Sequence, residues 1–316
     1  MENSAKRADN KEYVAALDLG TNSNRLLVVD ESGKAILRDV RHVALGEGLA
    51  ENKYFCNKAM ERAVSSYVDF SETMKKYGIK KYRAIATAAC RMSTNTVNFL
   101  HEVKAASGVD VEVISEYEEA RLTLKGAKLN APNDKKYIFV YDLGGGSTEI
   151  TLATNEENPN ILATISIPLG ARNATEMYDL KNYNRAGALK LRADVEKYVD
   201  ELLDSIKDVD YNKNVALIAT SSTPLRLAAA YKQMAKYDKF EADGVVVPIK
   251  ELDKIISSML KFSYKQRSNS PYIGPNRAPI FVAALVIFRA IYKKLGVNDM
   301  VASLKAAQEA IIDELL

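Results

Sequence analysis

Two stretches of this chain repeat one another, and the repetition limits what it can fold into. DLGTNS begins at Asp18 and DLGGGS at Asp142, while Gly46 of LGEG and Gly170 of PLGA each lie 28 residues past the aspartate of their own copy. A third pair follows, IATAACR with Ala86 and IATSSTPLR with Ala219, 68 and 77 residues past the same two aspartates. Chance rarely keeps such a register, so the chain is expected to form two related α/β units that face each other.

Local patterns agree with this. YVAALDLG is an apolar strand ending in Asp18, and RLLVVDESGKAILRDV alternates about a turn at residues 31–34, which predicts a β-hairpin. Apolar residues recur at three and four over 57–77, predicting a helix closed by Gly78. YRAIATAA reads as a strand, TVNFLHEVKAAS as a helix stopped by Gly108, and VDVEVIS as a strand. Ser115 and Glu118 form an S-x-x-E capping box, with the Glu118 side chain expected to bond back to the Ser115 backbone, and it opens a helix to about Leu129. NAPND then separates a first unit over 13–130 from a second over 131–316, with residues 1–12 as a loose tail. The pattern restarts there: KYIFVYDLGGG is a strand ending in Asp142, and TEITLATNEENPNILATISI is a second hairpin turning at 155–160. Helices are expected over 249–263, 277–295 and 303–316.

At 316 residues, 47% apolar and 27% charged, the chain can bury a core in each of two domains. The net charge of +3 is too slight for a surface that coats nucleic acid. Cys56 and Cys90 lack CxxC spacing, which argues against a disulfide framework or a zinc site. With only His42 and His101 present, chemistry falls to carboxylates and a metal. The longest apolar run, residues 278–288, is closed by Arg277 and Arg289 and falls short of the roughly 18 residues a membrane span needs. The polar start MENSAKRADN has no hydrophobic signal core, so a cytoplasmic protein without membrane or nucleic-acid partners is expected.

Three glycines in a row, Gly144, Gly145 and Gly146, cost roughly 0.5–1 kcal/mol each relative to alanine and need a reason. One reason is a tight hairpin turn. The other is an anion: glycine can take positive φ and gather N–H groups into a nest, to which Ser147 and Thr148 add hydroxyls. The echo at Gly20, Thr21, Asn22 and Ser23 favours phosphate in both loops. Arg25 and Arg91 read either as bidentate holders of phosphate or as surface ion pairs. Asp18, Asp142 and Glu149 would repel phosphate unless a cation stands between, and Mg²⁺ takes one or two carboxylates together with water and phosphate oxygens. Their plainer readings are strand-end aspartates satisfied by turn amides and a solvent-facing glutamate. Glu119 is either a helix-surface carboxylate paired with a lysine or a base that takes the proton of an attacking water.

AALDLGTNSNRLLV, ALGEGL, AIATAACR, VEVISEYEEARL, YDLGGGSTEI and IPLGA, in this order and at these separations, resemble the exopolyphosphatase and guanosine pentaphosphate phosphatase (Ppx/GppA) family in its short two-domain form. The likeness is strongest over 13–172. It implies two duplicated ribonuclease-H-like domains of the actin, sugar kinase and Hsp70 superfamily, an interdomain cleft, and Mg²⁺-dependent hydrolysis of a terminal phosphoanhydride. By position it implies that Glu119 activates water and that Asp142 and Glu149 serve metal and phosphate. It also implies that loops 18–24, including Asn24, and 144–148 bind phosphate, and it lands a family arginine on Arg91. The family's Gly-Thr-Ser-Gly-Thr appears as Ala219, Thr220, Ser221, Ser222 and Thr223, its Arg-Ala-Asp as Arg277, Ala278 and Pro279, and its Arg-Glu-Gly as Lys305, Ala306 and Ala307. These departures bear on substrate grip more than on water activation.

The expectation is a phosphohydrolase acting on inorganic polyphosphate, on guanosine pentaphosphate (pppGpp), or on both. A non-catalytic sensor of polyphosphate or alarmone and a kinase of the same superfamily are the alternatives. A homodimer is compatible with this reading, which leaves oligomeric state open.

Overall fold

Two sheets carry the two copies of the repeat, strand for strand. The computed structural model describes residues 12–211 and 214–316, so the tail expected over 1–12 lies, but for Glu12, outside the described residues. In the first sheet β1 (Tyr13–Leu19), β2 (Ser23–Asp30) and β3 (Ala35–His42) form an antiparallel meander, and β4 (Lys81–Ala86) and β5 (Glu112–Val113) extend it in parallel beyond β1. The order is β3-β2-β1-β4-β5. In the second, β6 (Tyr137–Leu143), β7 (Thr148–Thr154) and β8 (Ile161–Ile167) repeat the meander, and β9 (Val215–Thr220) again runs parallel to the central strand. With β10 (Val246–Pro248) and β11 (Asp299–Ala302) the order becomes β8-β7-β6-β9-β11-β10. This is the duplicated α/β architecture with two ribonuclease-H-like units.

Side chains alternate across a strand, and both faces of β1 are covered. Ala15, Leu17 and Leu19 pack on the helix Asn57–Lys76, whose Ala59, Ala63, Tyr67 and Phe70 recur at helical spacing. Val14 and Ala16 face the other way, toward Leu122 of the helix Glu116–Ala127 and Ile311 of the C-terminal helix Ala307–Leu315. The next residue in that alternation is Asp18. In β6 the same parity sets Ile138 and Val140 on Leu124 and Ala127 of the Glu116–Ala127 helix and leads to Asp142. One helix is therefore wedged between the inner faces of both sheets, and it carries Glu119. The wedge is tight: a Cβ at Gly126 would lie 1.8 Å from the Ala306 carbonyl oxygen. On the outer face of β6, Tyr141 stacks on Phe288 of the helix Phe281–Leu295 with ring centroids 4.6 Å apart.

Several boundaries differ from expectation, each for a local reason. The strand read from YRAIATAA ends at Ala86, where the short helix Ala88–Met92 begins, and that read from VDVEVIS keeps only the two residues that pair with the end of β4. The last helices start late, at Phe281 and Ala307, because turns at 275–280 and 303–306 precede them. The capping box is half made. Ser115 Oγ accepts from the Glu118 N–H at 3.2 Å, but the Glu118 carboxylate pairs with Arg83 and Arg121 rather than returning to Ser115. Two charge-assisted bonds outweigh one to a neutral amide. The C-terminal helix, grouped by sequence with the second unit, lies on the first sheet, where it gives Ala310, Ile311 and Ile312 to a face otherwise met by Ile114 and Leu122. Among the described residues no helix is long and apolar enough to cross a membrane.

Candidate active site

The loops that follow β1 and β6 touch. A Cβ at Gly145 would lie 3.1 Å from the Cβ atoms of both Thr21 and Asn22, and one at Gly146 would lie 3.2 Å from Thr21 Oγ1. Each loop also rests on the second glycine of its copy. The Gly46 N–H donates to the Thr21 carbonyl at 2.8 Å, and the N–H of Ala171, beside Gly170, donates to the Gly144 carbonyl at 3.0 Å. A Cβ at Gly170 would sit 2.5 Å from the Gly145 carbonyl carbon. This seat is the reason for the shared 28-residue spacing.

The expected positive φ is not found, since Gly20, Gly144, Gly145 and Gly146 all stay outside the left-handed region. They are glycine because other chain segments approach them closely. A set of donors remains nonetheless: the main-chain N–H groups of Thr21, Asn22, Gly145 and Ser147 make none of the loop main-chain hydrogen bonds among the described residues.

Beside the loops opens a cleft of about 190 Å³, lined by both sheets and by the wedged helix. Asp18, Glu119, Asp142 and Glu149 line it, as do Gly20, Thr21, Asn22, Ser23, Arg25, Gly144, Gly145 and Ser147. Strand register sets their charges. Asp18 stands opposite Arg25 across β1 and β2, and the guanidinium meets its carboxylate at 2.5 Å. Asp142 stands opposite Glu149 across β6 and β7. Neither forms an ion pair with a described residue; Glu149 accepts from Ser166 Oγ at 3.1 Å. Burial, then the charges of Glu119 and Asp142, push Glu149 well above the usual carboxylate range. Burial also raises Asp142, against the opposing pull of Arg25 and the Thr220 hydroxyl. Glu119 is only 8% exposed and meets Arg91 Nη2 at 2.8 Å. Burial lifts its pKa to about 7, against the pull of Arg91.

Asp142 and Glu149 are thus a buried, unneutralised pair of oxygen donors. Such a pair fits a hard divalent cation that keeps water and phosphate oxygens as its other ligands. Asp18, grouped with them by sequence, is occupied by Arg25. Among the described residues no three or more His, Cys, Asp or Glu are grouped so as to hold an ion, so protein carboxylates alone do not complete a shell.

Other expected phosphate contacts face elsewhere. Asn24, fully buried, donates to Ser66 Oγ at 2.7 Å, because the alternation of β2 turns it into the core. Thr148, its counterpart on β7, donates to the Leu169 carbonyl at 2.6 Å. Gly146 receives Thr21 of the opposite loop and is not part of the cleft wall. Arg91 lies behind Glu119, with Nη1 donating to the Ile114 carbonyl at 3.0 Å.

Different cations reach the cleft. Arg38, Lys239 and Arg277 line it, Arg38 being held by Glu309 at 2.6 Å. Burial and then Arg226 and Arg25 push Arg277 down to about 9. Ser221, Ser222 and Thr223 line the cleft where the helix Ser222–Tyr231 begins, and the Ser221 and Ser222 hydroxyls are buried without a partner among the described residues. No spacing marks Arg38 or Lys239 in the sequence. Arg277 carries a signal, its place in the Arg-Ala-Pro that stands for Arg-Ala-Asp.

A model of the Ppx/GppA phosphatase family matches residues 27–316. The bifunctional 3-dehydroquinate synthase/phosphatase of Fusobacterium nucleatum is 29% identical over 302 residues, taking in 92% of this chain and 44% of that protein, so this chain spans less than half of that relative's length. Exopolyphosphatase 2 of Mycobacterium tuberculosis is 27% identical over 313 residues, covering 95% of this chain and 96% of that one. Among solved structures, an exopolyphosphatase-like protein matches with a TM-score of 0.84 at 26% identity, over 96% of this chain and 98% of that chain.

Proposed function

The chain belongs to the Ppx/GppA phosphatase family, and on that premise we propose that it hydrolyses the terminal phosphoanhydride of inorganic polyphosphate, of guanosine pentaphosphate, or of both. The observation that carries this reading is Glu119. It is a buried carboxylate with a pKa near 7, on the helix between the two sheets, in one cleft with both glycine loops. A base with that pKa is substantially ionised at neutral pH and still accepts a proton readily.

In this scheme the main-chain N–H groups of Thr21, Asn22, Gly145 and Ser147 donate to the oxygens of the terminal phosphate. Asp142 and Glu149 would hold Mg²⁺, which would neutralise the phosphoryl charge. Glu119 accepts a proton from water as the water oxygen bonds to phosphorus, and the bond to the bridging oxygen breaks in line. The shortened phosphate leaves with that electron pair. Arg91 acts as a positioning residue, fixing Glu119 from behind. Both substrate types present the same terminal group, so the choice between them falls to the cleft beyond it, where Lys239 and Arg277 stand.

The test is phosphate release from polyphosphate and from pppGpp, with Mg²⁺, by wild type and Glu119→Gln. The substitution is expected to lower kcat by about 10² to 10⁴. Wild-type kcat/KM should rise with pH through about 7, as Glu119 loses its proton, and the variant should lack that limb. Equal rates for the two proteins would remove Glu119 from the chemistry.

A further inference from the structure

His42 has no role in this scheme, yet it lies against it. It is the last residue of β3, stands opposite Ser23 in the β2–β3 register, and places Nδ1 2.8 Å from Ser23 Oγ. Ser23 lines the cleft, and Asn22 Nδ2 donates to the same Oγ at 3.2 Å. The charged groups that act on the ring are cations from four segments. They are Arg25 on β2, Arg172 on the helix Ala171–Met177, Arg226 on the helix Ser222–Tyr231, and Arg277 in the turn before the helix Phe281–Leu295. Nearby carboxylates are engaged elsewhere, Asp18 with Arg25, Asp39 with Arg41 and Glu47 with Arg62. Lost hydration and then these four charges push the imidazole down to about 4, so it is neutral at ordinary pH.

A neutral imidazole has one donor nitrogen and one acceptor. With Nδ1 as acceptor, the single Ser23 proton goes to His42, and a bare oxygen is left for the cleft. With Nδ1 as donor, Asn22 and His42 both donate into Ser23 Oγ, and the Ser23 proton is free for a phosphate oxygen. The imidazolium always donates. An anion in the cleft, which Arg25 and Arg277 line, offsets their repulsion of the ring and favours that form. We propose that His42 is a positioning residue that takes up a solvent proton when a phosphate anion binds, and thereby turns the Ser23 hydroxyl into a donor to that anion. The proton returns to solvent when the anion leaves. This rests on the glycine loops being a phosphate site.

The chain has two histidines, so NMR of the full-length, metal-free protein follows the His42 ring directly, with His101 as internal control and His42→Asn for assignment. With tripolyphosphate as probe, the His42 midpoint is expected near 4 in the free protein and at about 7 or above in the complex, the rise of about three pH units that protonation at neutral pH requires. In turnover assays His42→Phe should raise KM about fivefold with kcat little changed. His42→Asn, which keeps a donor close to the Nδ1 position, should recover most of KM while flattening its pH dependence. Movement of the Thr21 and Gly145 amide resonances with the His42 midpoint still below about 6 in the complex would end this inference and leave the phosphate site standing. No movement of either would end both. A free-protein midpoint at or above about 6.5 would end the inference as well.

Discussion

The two copies of the repeat hold one geometry around opposite charges. In each, an aspartate ends the central strand and the residue seven places on faces it across the hairpin; that residue is Arg25 in the first copy and Glu149 in the second. The first copy neutralises its carboxylate internally. The second buries two carboxyl groups side by side with no protein cation against either among the described residues, so that each holds its proton more tightly than usual. A duplicated scaffold can therefore divide its labour through a single register position, with one unit closed on itself and the other left open to the cation proposed above.

The comparison breaks most visibly in activity. Asp142→Asn or Glu149→Gln should lower Mg²⁺-dependent kcat by about a thousandfold, close to 4 kcal/mol of barrier, whereas Asp18→Asn should cost about tenfold or less. Stability should move in opposite directions. Asp142 and Glu149 hold their protons more tightly in the fold than in the unfolded chain, so the stability they contribute is complete below the ordinary carboxylate range and is lost as pH rises through their raised values. At pH 8 without metal, neutralising either should raise Tm, while Asp18→Asn, which leaves Arg25 without its partner, should lower it. Thermal scans of the variants at pH 8 decide the matter, and shifts of one sign for all of them would erase the distinction between the copies.

What could be read from sequence, and what could not, divides along the same line. The strands, both hairpins and the paired glycines were legible because they record contacts of the main chain, and those recur wherever the repeat recurs. Side-chain direction was not, although part of it was within reach. Asn24 and Thr148, each six residues past its aspartate, sit where strand alternation turns them from the cleft toward the core. The helix Arg185–Ser205 shows plain periodicity in Ala188, Leu191, Val195, Val199 and Leu202, but the repeat does not extend to it. Arg91 and Arg226 close matching segments and diverge completely. One holds Glu119, and the other donates to the Ile273 carbonyl in the loop that leads to Arg277. Which partner an arginine meets is decided by segments far away in the chain, and no local pattern carries that information.

A smaller difference separates the two glycine seats. A Cβ at Gly170 would strike main-chain atoms, 2.6 Å from the nitrogens of Gly146 and Ser147, whereas one at Gly46 would strike the Thr21 methyl at 2.3 Å. Backbone cannot step aside as a methyl can. Gly170→Ala should therefore destabilise by about 3 kcal/mol and Gly46→Ala by about 1 kcal/mol, read from urea unfolding. Adding Thr21→Ser, which deletes the methyl, should recover most of the loss at Gly46 and none at Gly170. Equal recovery at both would show that the two loops are not seated in the same way.

The smallest expected effect concerns the turn after the parallel strand of each copy. In the first copy Thr87 precedes its helix at φ −121 and ψ −145, a conformation open to any residue. In the second, Ser221 precedes the helix Ser222–Tyr231 at φ 79 and ψ 177, a region that is essentially glycine's alone and that costs roughly 1–3 kcal/mol with a side chain. Ser221→Gly relieves that strain but gives the unfolded chain more freedom, worth about 0.4–1 kcal/mol in the other direction. A net gain of about 1 kcal/mol should remain, visible as a rise of a few degrees in Tm. The same variant removes a hydroxyl that lines the cleft without a partner among the described residues. If that hydroxyl meets the substrate, KM should rise as Tm rises, which would identify the strain as the consequence of aiming a donor into the cleft. A higher Tm with unchanged KM would make the strain a cost of the turn alone, and a lower Tm would show that Ser221 is not strained at all.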